Sequence, residues 1–394
     1  QYNLNVSYNT ITNKNGGGSN HAQTIRAIYV NTATSANATV RFNTISVKAG
    51  SSTATYIGIE NVSGSTAASN TIRISNNTIT GCTQSSATLG PFFGIFNNGA
   101  TPTTLAIDSN TFSSNSTSAT SGNYYPIYNT GAVPGTLSES GNTVGGVTFT
   151  ATATSLIFRG IFNSTASSAA TITIANNTFQ DVVYSGSASG EYACIYNAAT
   201  AQALSCTISG NTFTALSTPT TVATYLIHNS TATPTNTVSG NAVATSFSKT
   251  GAGGTFYGYY SNGSPASGTT TIAGNTFSNI SVSGATTFYG VYANATSTHT
   301  LAVSGNGISN ISGGSSAVYG IYANSGASGS SISGNTISAI SGSGSMVGIS
   351  MGVTPSASMA ITANTVSQLT STGAVTMIGI GTTFGTAFQI SRNT

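Results

Sequence analysis

The chain has 394 residues, of which 3% are charged and 38% hydrophobic. So few charges exclude an ordinary set of soluble globular domains, and the regular spacing of the apolar residues argues against the disorder that a Gly, Ser, Thr, Asn and Ala bias usually brings. The net charge of +3 is unevenly placed, with Lys14, Arg26, Arg41, Lys48 and Arg73 near the N-terminus and Lys249 alone between Tyr192 and Ser391, so no basic stripe runs the length of the chain and nucleic acid is not an expected partner.

From the N-terminus onward, an Asn followed usually by Thr and then by Ile, Phe or Val recurs thirteen times at separations of 29 to 35 residues: Asn9, Asn43, Asn77, Asn110, Asn142, Asn177, Asn211, Asn241, Asn275, Asn306, Asn335, Asn364 and Asn393. Three residues before this anchor is an aliphatic slot, from Val6, Val40, Ile74 and Ile107 to Ile361 and Ile390, with Glu139 as its exception. Two residues after the anchor is a second slot, from Ile11 to Val366, that has no polar exception. Polar or small residues alternate with the slots, which is the period of a strand with one buried face.

Midway between anchors comes a second motif, clearest in Tyr289-Gly-Val-Tyr292 and Tyr319-Gly-Ile-Tyr322 and recognisable in Phe93-Gly-Ile-Phe96 and Tyr257-Gly-Tyr-Tyr260. It predicts another strand in each repeat. Segments rich in Ser, Gly, Thr and Ala join the strands as turns, and no long segment has a helical period. A repeat of this size cannot bury its apolar face alone, so successive repeats must stack. The expected fold is all-β: one continuous parallel β-helix, or β-solenoid, over residues 1–394, with about twelve coils of 29–35 residues. At a strand spacing of about 4.8 Å such a rod is roughly 58 Å long. Its anchor asparagines should form a structural ladder, each carboxamide donating to one neighbour and accepting from the other.

Units such as Ile272-Ala-Gly-Asn-Thr-Phe277 followed by Tyr289-Gly-Val-Tyr292, and Ile332-Ser-Gly-Asn-Thr-Ile337 preceded by Tyr319-Gly-Ile-Tyr322, carry a resemblance that covers essentially the whole chain. The sequence resembles right-handed parallel β-helix repeat proteins, in particular the Ser/Thr/Asn/Gly-rich bacterial surface and secreted type often exported by the type IX pathway. The resemblance implies a right-handed coil, an extracellular or cell-surface location, and adhesion or fibre formation. The signal peptide and sorting domain of such proteins are missing from the sequence, which enters and leaves in mid-pattern, so a fragment of a longer chain is expected.

Polysaccharide lyases and glycosidases share this fold, so catalysis must be judged on site chemistry. The whole carboxylate supply is Glu60, Asp108, Glu139, Asp181 and Glu191. Glu139, in an apolar slot, would be an acid of raised pKa unless a local strand shift exposes it. Asp108 and Arg73 are expected to make a surface ion pair, and Asp181 and Glu191 flank one turn. His21, His228 and His299 sit at unrelated phases, and Cys82, Cys194 and Cys206 make neither a disulfide framework nor a zinc pattern and are expected to fill the core. No catalytic residue, metal or cofactor is expected, and no membrane insertion.

Two outward ladders are the candidates for contact. If the Ile of the second motif points in, the next residue points out, which puts Tyr29, Phe96, Tyr128, Phe162, Tyr196, Tyr260, Tyr292 and Tyr322 in one stripe, over glycines of adjacent coils, able to meet sugar faces or another rod. The other is hydroxyl-rich, with Thr39, Thr173, Thr207, Thr237 and Thr271 beside Ser75, Ser209, Ser239, Ser304 and Ser333. The sequence therefore reads as a non-catalytic structural or adhesive segment capable of self-association into fibres or bundles. The alternatives are a carbohydrate-binding or polysaccharide-degrading β-helix with surface glycans as partners and, as a lesser one, ice binding by the hydroxyl ladder.

Overall fold

The computed structural model describes residues 2–13, 24–31, 36–49, 55–64, 70–84, 89–98, 103–164, 171–198, 204–231, 233–262, 267–295, 298–325, 327–352, 358–383 and 387–394. Lys14 and His21 lie outside them. The described residues form strands and turns without a helix. Each coil contributes one strand to each of three long sheets. The first sheet gathers the strands before the anchors, thirteen of them from Tyr2–Ser7 to Ala387–Ser391. The second gathers those after the anchors, from Thr10–Thr12 to Thr365–Ser371. The third holds twelve strands of the midway motif, from Ile25–Val30 to Met377–Thr383.

Each strand pairs in parallel with its counterpart one repeat away, as Thr207 does with Thr173 and Thr237, so the expected parallel β-solenoid is the fold. In the N-terminal half a narrow five-stranded sheet, Lys48–Ala49 to Val182–Tyr184, lies between the second and third sheets in chain order. Beyond it the strand Thr276–Val282 pairs with both Ala242 and Phe247–Lys249, merging what were two strands into one.

The turn from the first sheet to the second explains the sequence at the anchor. The residue before each of the thirteen anchors has φ between 54° and 67°, a left-handed conformation that glycine adopts without strain, and glycine fills six of these places, including Gly240 and Gly274. The sharp turn drives the next side chain, the anchor Asn, into the interior. There Nδ2 of each donates to Oδ1 of the next, unbroken from Asn9 to Asn393, at 2.8 to 3.1 Å. The same Oδ1 accepts the backbone N–H of the preceding anchor, as Asn241 Oδ1 does from Asn211, and Nδ2 also reaches a main-chain carbonyl, as from Asn211 to Ile174. The ladder thereby satisfies main-chain groups that the corner takes out of the sheets.

The interior is filled by columns of like residues. Both aliphatic slots are buried in nearly every coil, and a third column of stacked rings, Tyr56, Phe92 and Tyr124, has centroids 4.5 and 4.4 Å apart. The midway glycines have a different role from the one expected. They do not seat outward rings; they face inward, where the second slot presses on them. A Cβ on Gly290 would lie 2.7 Å from Ile308 Cγ1 and 2.7 Å from the Gly320 carbonyl.

Candidate contact face and buried polar groups

In each strand of the third sheet two consecutive residues face inward, such as Gly290 and Val291, so the side chains on either side of them, Tyr289 and Tyr292, emerge on the same outer face. Strict alternation predicts only the second of these two columns. In that column Phe96, Tyr128, Phe162 and Tyr196 follow one another, then Tyr260, Tyr292 and Tyr322. Glu60 stands between Tyr29 and Phe96, and His228 between Tyr196 and Tyr260. The missed column contains Phe93 and Tyr125, is interrupted by Arg159 and Ala193, and resumes with Tyr225, Tyr257, Tyr289 and Tyr319. The first letter of the Tyr-Gly-Val-Tyr motif was its signal, but strict alternation pointed it inward.

In the C-terminal part of each column the rings lie nearly parallel, 5.4 Å and 8° for Tyr257 and Tyr289, 4.7 Å and 7° for Tyr289 and Tyr319, 5.0 Å and 7° for Tyr292 and Tyr322, whereas Phe162 and Tyr196 meet at 86°. Between columns they are tilted or perpendicular, as in Phe93 and Phe96 at 46° and Tyr289 and Tyr292 at 83°. A sugar or other flat ligand sandwiched between two rings needs a separation of about 7 Å, two van der Waals contacts, so the successive rings leave no slot for one. Neighbouring rings cover much of each face, and ring edges and phenol oxygens remain to meet a partner. The stripe is half-buried rather than projecting. Tyr29 is 51% exposed, but Phe162 is only 8% exposed, packed between Tyr125, Tyr128 and Tyr196.

Burial pushes up the phenol pKa values of Tyr196, Tyr257, Tyr260 and Tyr292, keeping these hydroxyls neutral. Arg159 fills its gap by lying 3.6 Å from the Tyr196 ring centroid and donating to Glu191 at 2.9 Å. His228 is buried against Tyr196 at 4.0 Å, and desolvation, with Arg159 nearby, lowers its pKa to about 3.

The five carboxylates have different surroundings. Glu139 is fully buried, which rules out a strand shift that exposes it; it pairs in register with Ile174 and accepts a 2.7 Å hydrogen bond from Asn163 Nδ2. Desolvation raises its pKa to about 8. Asp108 does not make the expected contact ion pair with Arg73, although the Arg73 charge still acts on it; it turns to the next coil and accepts from the Ser138 hydroxyl and the Ser140 N–H, each at 2.9 Å. Glu60 is paired with Arg26, and Glu191 with Arg159. Asp181 borders a shallow groove with Tyr184, Ser217 and Thr250, whose lining, among the described residues, has no second carboxylate.

His299 bonds through Nε2 to the Thr270 hydroxyl at 2.7 Å. The described residues contain no cluster of three or more His, Cys, Asp or Glu side chains suited to a metal. Cys82, Cys194 and Cys206 are buried free thiols, as core filling requires. The hydroxyl ladder is in register over Thr173, Thr207, Thr237 and Thr271, with Arg73 and Ala106 in the same row nearer the N-terminus.

Two further buried features lie outside the sequence expectations. Asn61, Asn97, Asn129, Asn163, Asn197 and Asn229, each following a residue of the outer stripe, form a second interior row, with Asn61 donating to Asn97 at 2.7 Å and Asn97 to Asn129 at 2.8 Å. Lys249 is also buried, its amine donating to the carbonyls of Gly251 and Gly253 at 2.6 Å each. Burial lowers its pKa to about 8. No helix among the described residues is long and apolar enough to cross a membrane. Comparison with protein-family models, with curated proteins and with solved structures gave no match.

Proposed function

We propose that this chain is a non-catalytic segment of an extracellular repeat protein, structural or adhesive in role, in which the stacked coils supply length and stiffness and the double aromatic ladder supplies the contact face. The observation that carries this reading is the ladder itself: aromatic side chains in register along one side of a rod. Contiguous apolar surface of this kind marks an interaction site.

The carboxylates support the same reading. Glycoside hydrolysis needs two of them across one cleft, whereas Glu139 is sealed in the core, Glu60 and Glu191 are held by arginines, and Asp108 by two serines. The extracellular, bacterial-surface assignment rests on the resemblance of the repeat unit to Ser/Thr/Asn/Gly-rich β-helix proteins. The test combines electron microscopy of the native material with assays for polysaccharide cleavage. Extended or bundled rods without turnover are the expected result; cleavage of a polysaccharide that disappears in Glu139→Gln or Asp181→Asn would overturn the reading.

A further inference from the structure

We propose that the tyrosine-rich part of the aromatic ladder, from Tyr225 to Tyr322, docks against the same part of a second copy of this chain. The inference rests on the ladder being a contact face and names what meets it.

Three observations select a second copy. The first is what the rings leave open. Stacking at 4.7 to 5.4 Å in the Tyr257, Tyr289 and Tyr319 column closes the space between rings to flat ligands and leaves edges and phenol oxygens repeating once per coil. A partner gains a contact at every coil only if its own groups recur at the same rise, and another copy of this rod does so by construction. A phenol hydroxyl both donates and accepts, so a row of them is complementary to an identical row, as a two-fold contact demands.

The second is charge. Lys249 is the only charged side chain from Tyr192 to Ser391, and it is buried with its amine held by main-chain carbonyls, so two such halves meet without stripping water from an ion. Nearer the N-terminus the same face carries the Arg26 and Glu60 pair and the Arg159 and Glu191 pair. That contrast confines the docking to the C-terminal part of the ladder.

The third is size. The two columns hold seven tyrosines from Tyr225 to Tyr322. If each half-covered ring yields about 100 Å², roughly half of what a fully buried aromatic contributes, the face supplies about 700 Å² per copy, within the range that stable interfaces use.

The experiment is the mass of the full chain in solution by light scattering and sedimentation, from nanomolar to high micromolar concentration. The wild type is expected to dimerise. The variant Tyr289→Ser/Tyr292→Ser/Tyr319→Ser/Tyr322→Ser is expected to weaken self-association at least tenfold, whereas Tyr29→Ser, on the charged part of the face, leaves it unchanged. Should the fourfold variant fail to fold, Tyr292→Arg replaces it: one unpaired charge in the contact is expected to give the same loss. A wild type that stays monomeric at every concentration, or a dimer indifferent to both substitutions, overturns the inference. A monomer that binds a polysaccharide through these tyrosines overturns it in favour of a glycan. None of these outcomes touches the non-catalytic reading, which fails instead on turnover.

Discussion

Asn163 donates from Nδ2 to Glu139 Oε2 across 2.7 Å inside the coil stack, at the slot where the other repeats carry Val or Ile. Desolvation lifts the Glu139 pKa from 4.5 to about 8, so at neutral pH the folded chain holds a proton that the unfolded chain has released. Stability therefore falls as pH rises from about 4.5 to about 8 and levels off above that. Glu139→Gln, neutral in both states, removes this slope. Its melting temperature should match the wild type near pH 4.5 and exceed it by several degrees at pH 8. Parallel pH profiles for the two proteins would refute the assignment.

The anchor ladder is expected to fail locally. Asn211 donates to Asn241 Oδ1 at 2.8 Å and to the Ile174 carbonyl at 3.0 Å, and accepts from the Asn177 N–H and Nδ2 at 3.0 and 2.9 Å. Asn211→Ala leaves buried groups on two neighbouring coils unpaired, at a cost of about 3 kcal/mol or more. Because a solenoid coil contacts only its neighbours, the loss should be confined to them. Hydrogen exchange is expected to accelerate in the strands around Asn177, Asn211 and Asn241 while protection near Asn43 and Asn364 is kept.

Two glycines separate backbone strain from crowding. Gly274 has φ of 62° and nothing within 4 Å of an added Cβ, so Gly274→Ala costs only the left-handed conformation, about 1 kcal/mol. Gly290 lies outside the left-handed region, yet its added Cβ meets Ile308 and the Gly320 carbonyl at 2.7 Å each. Gly290→Ala forces two sheets apart and should destabilise more strongly. The converse substitution, Ala363→Gly at φ of 56°, should be neutral or stabilising. Thermal melts of the three variants check the order.

These contrasts show why the fold could be read in the sequence and the site only in part. The anchor has a fixed local grammar, a left-handed residue, a buried Asn and an aliphatic two places on, and each of its constraints acts within a few residues, so the period survives turns of any length. The midway strand breaks the period-two rule at Gly290 and Val291, which both face in, and a reader relying on alternation loses the Tyr257, Tyr289 and Tyr319 column. Asp108 departs from expectation for a related reason. Its partners Ser138 and Ser140 belong to the following coil, and that choice depends on side-chain reach between coils rather than on shared phase with Arg73. Lys249 gives no sequence signal of burial; its place is set by the Gly251 and Gly253 carbonyls that curl back over the amine.

The three thiols report on the closure of the stack. Burial pushes Cys82, Cys194 and Cys206 up, the last to about 12, and Cys82 is hydrogen-bonded to Tyr56 at 2.9 Å. The thiolate is the reacting species, so a raised pKa and a closed core suppress alkylation together. Cys82 lies towards the N-terminus and Cys194 and Cys206 near the middle. Under native conditions none should react with a thiol-specific alkylating agent over hours, and all three should react at once in denaturant. At intermediate denaturant, if the end unravels before the middle, Cys82 labels ahead of Cys194 and Cys206, as expected of coils stabilised mainly by nearest neighbours. Simultaneous labelling of all three would instead mean that the rod opens as one cooperative unit.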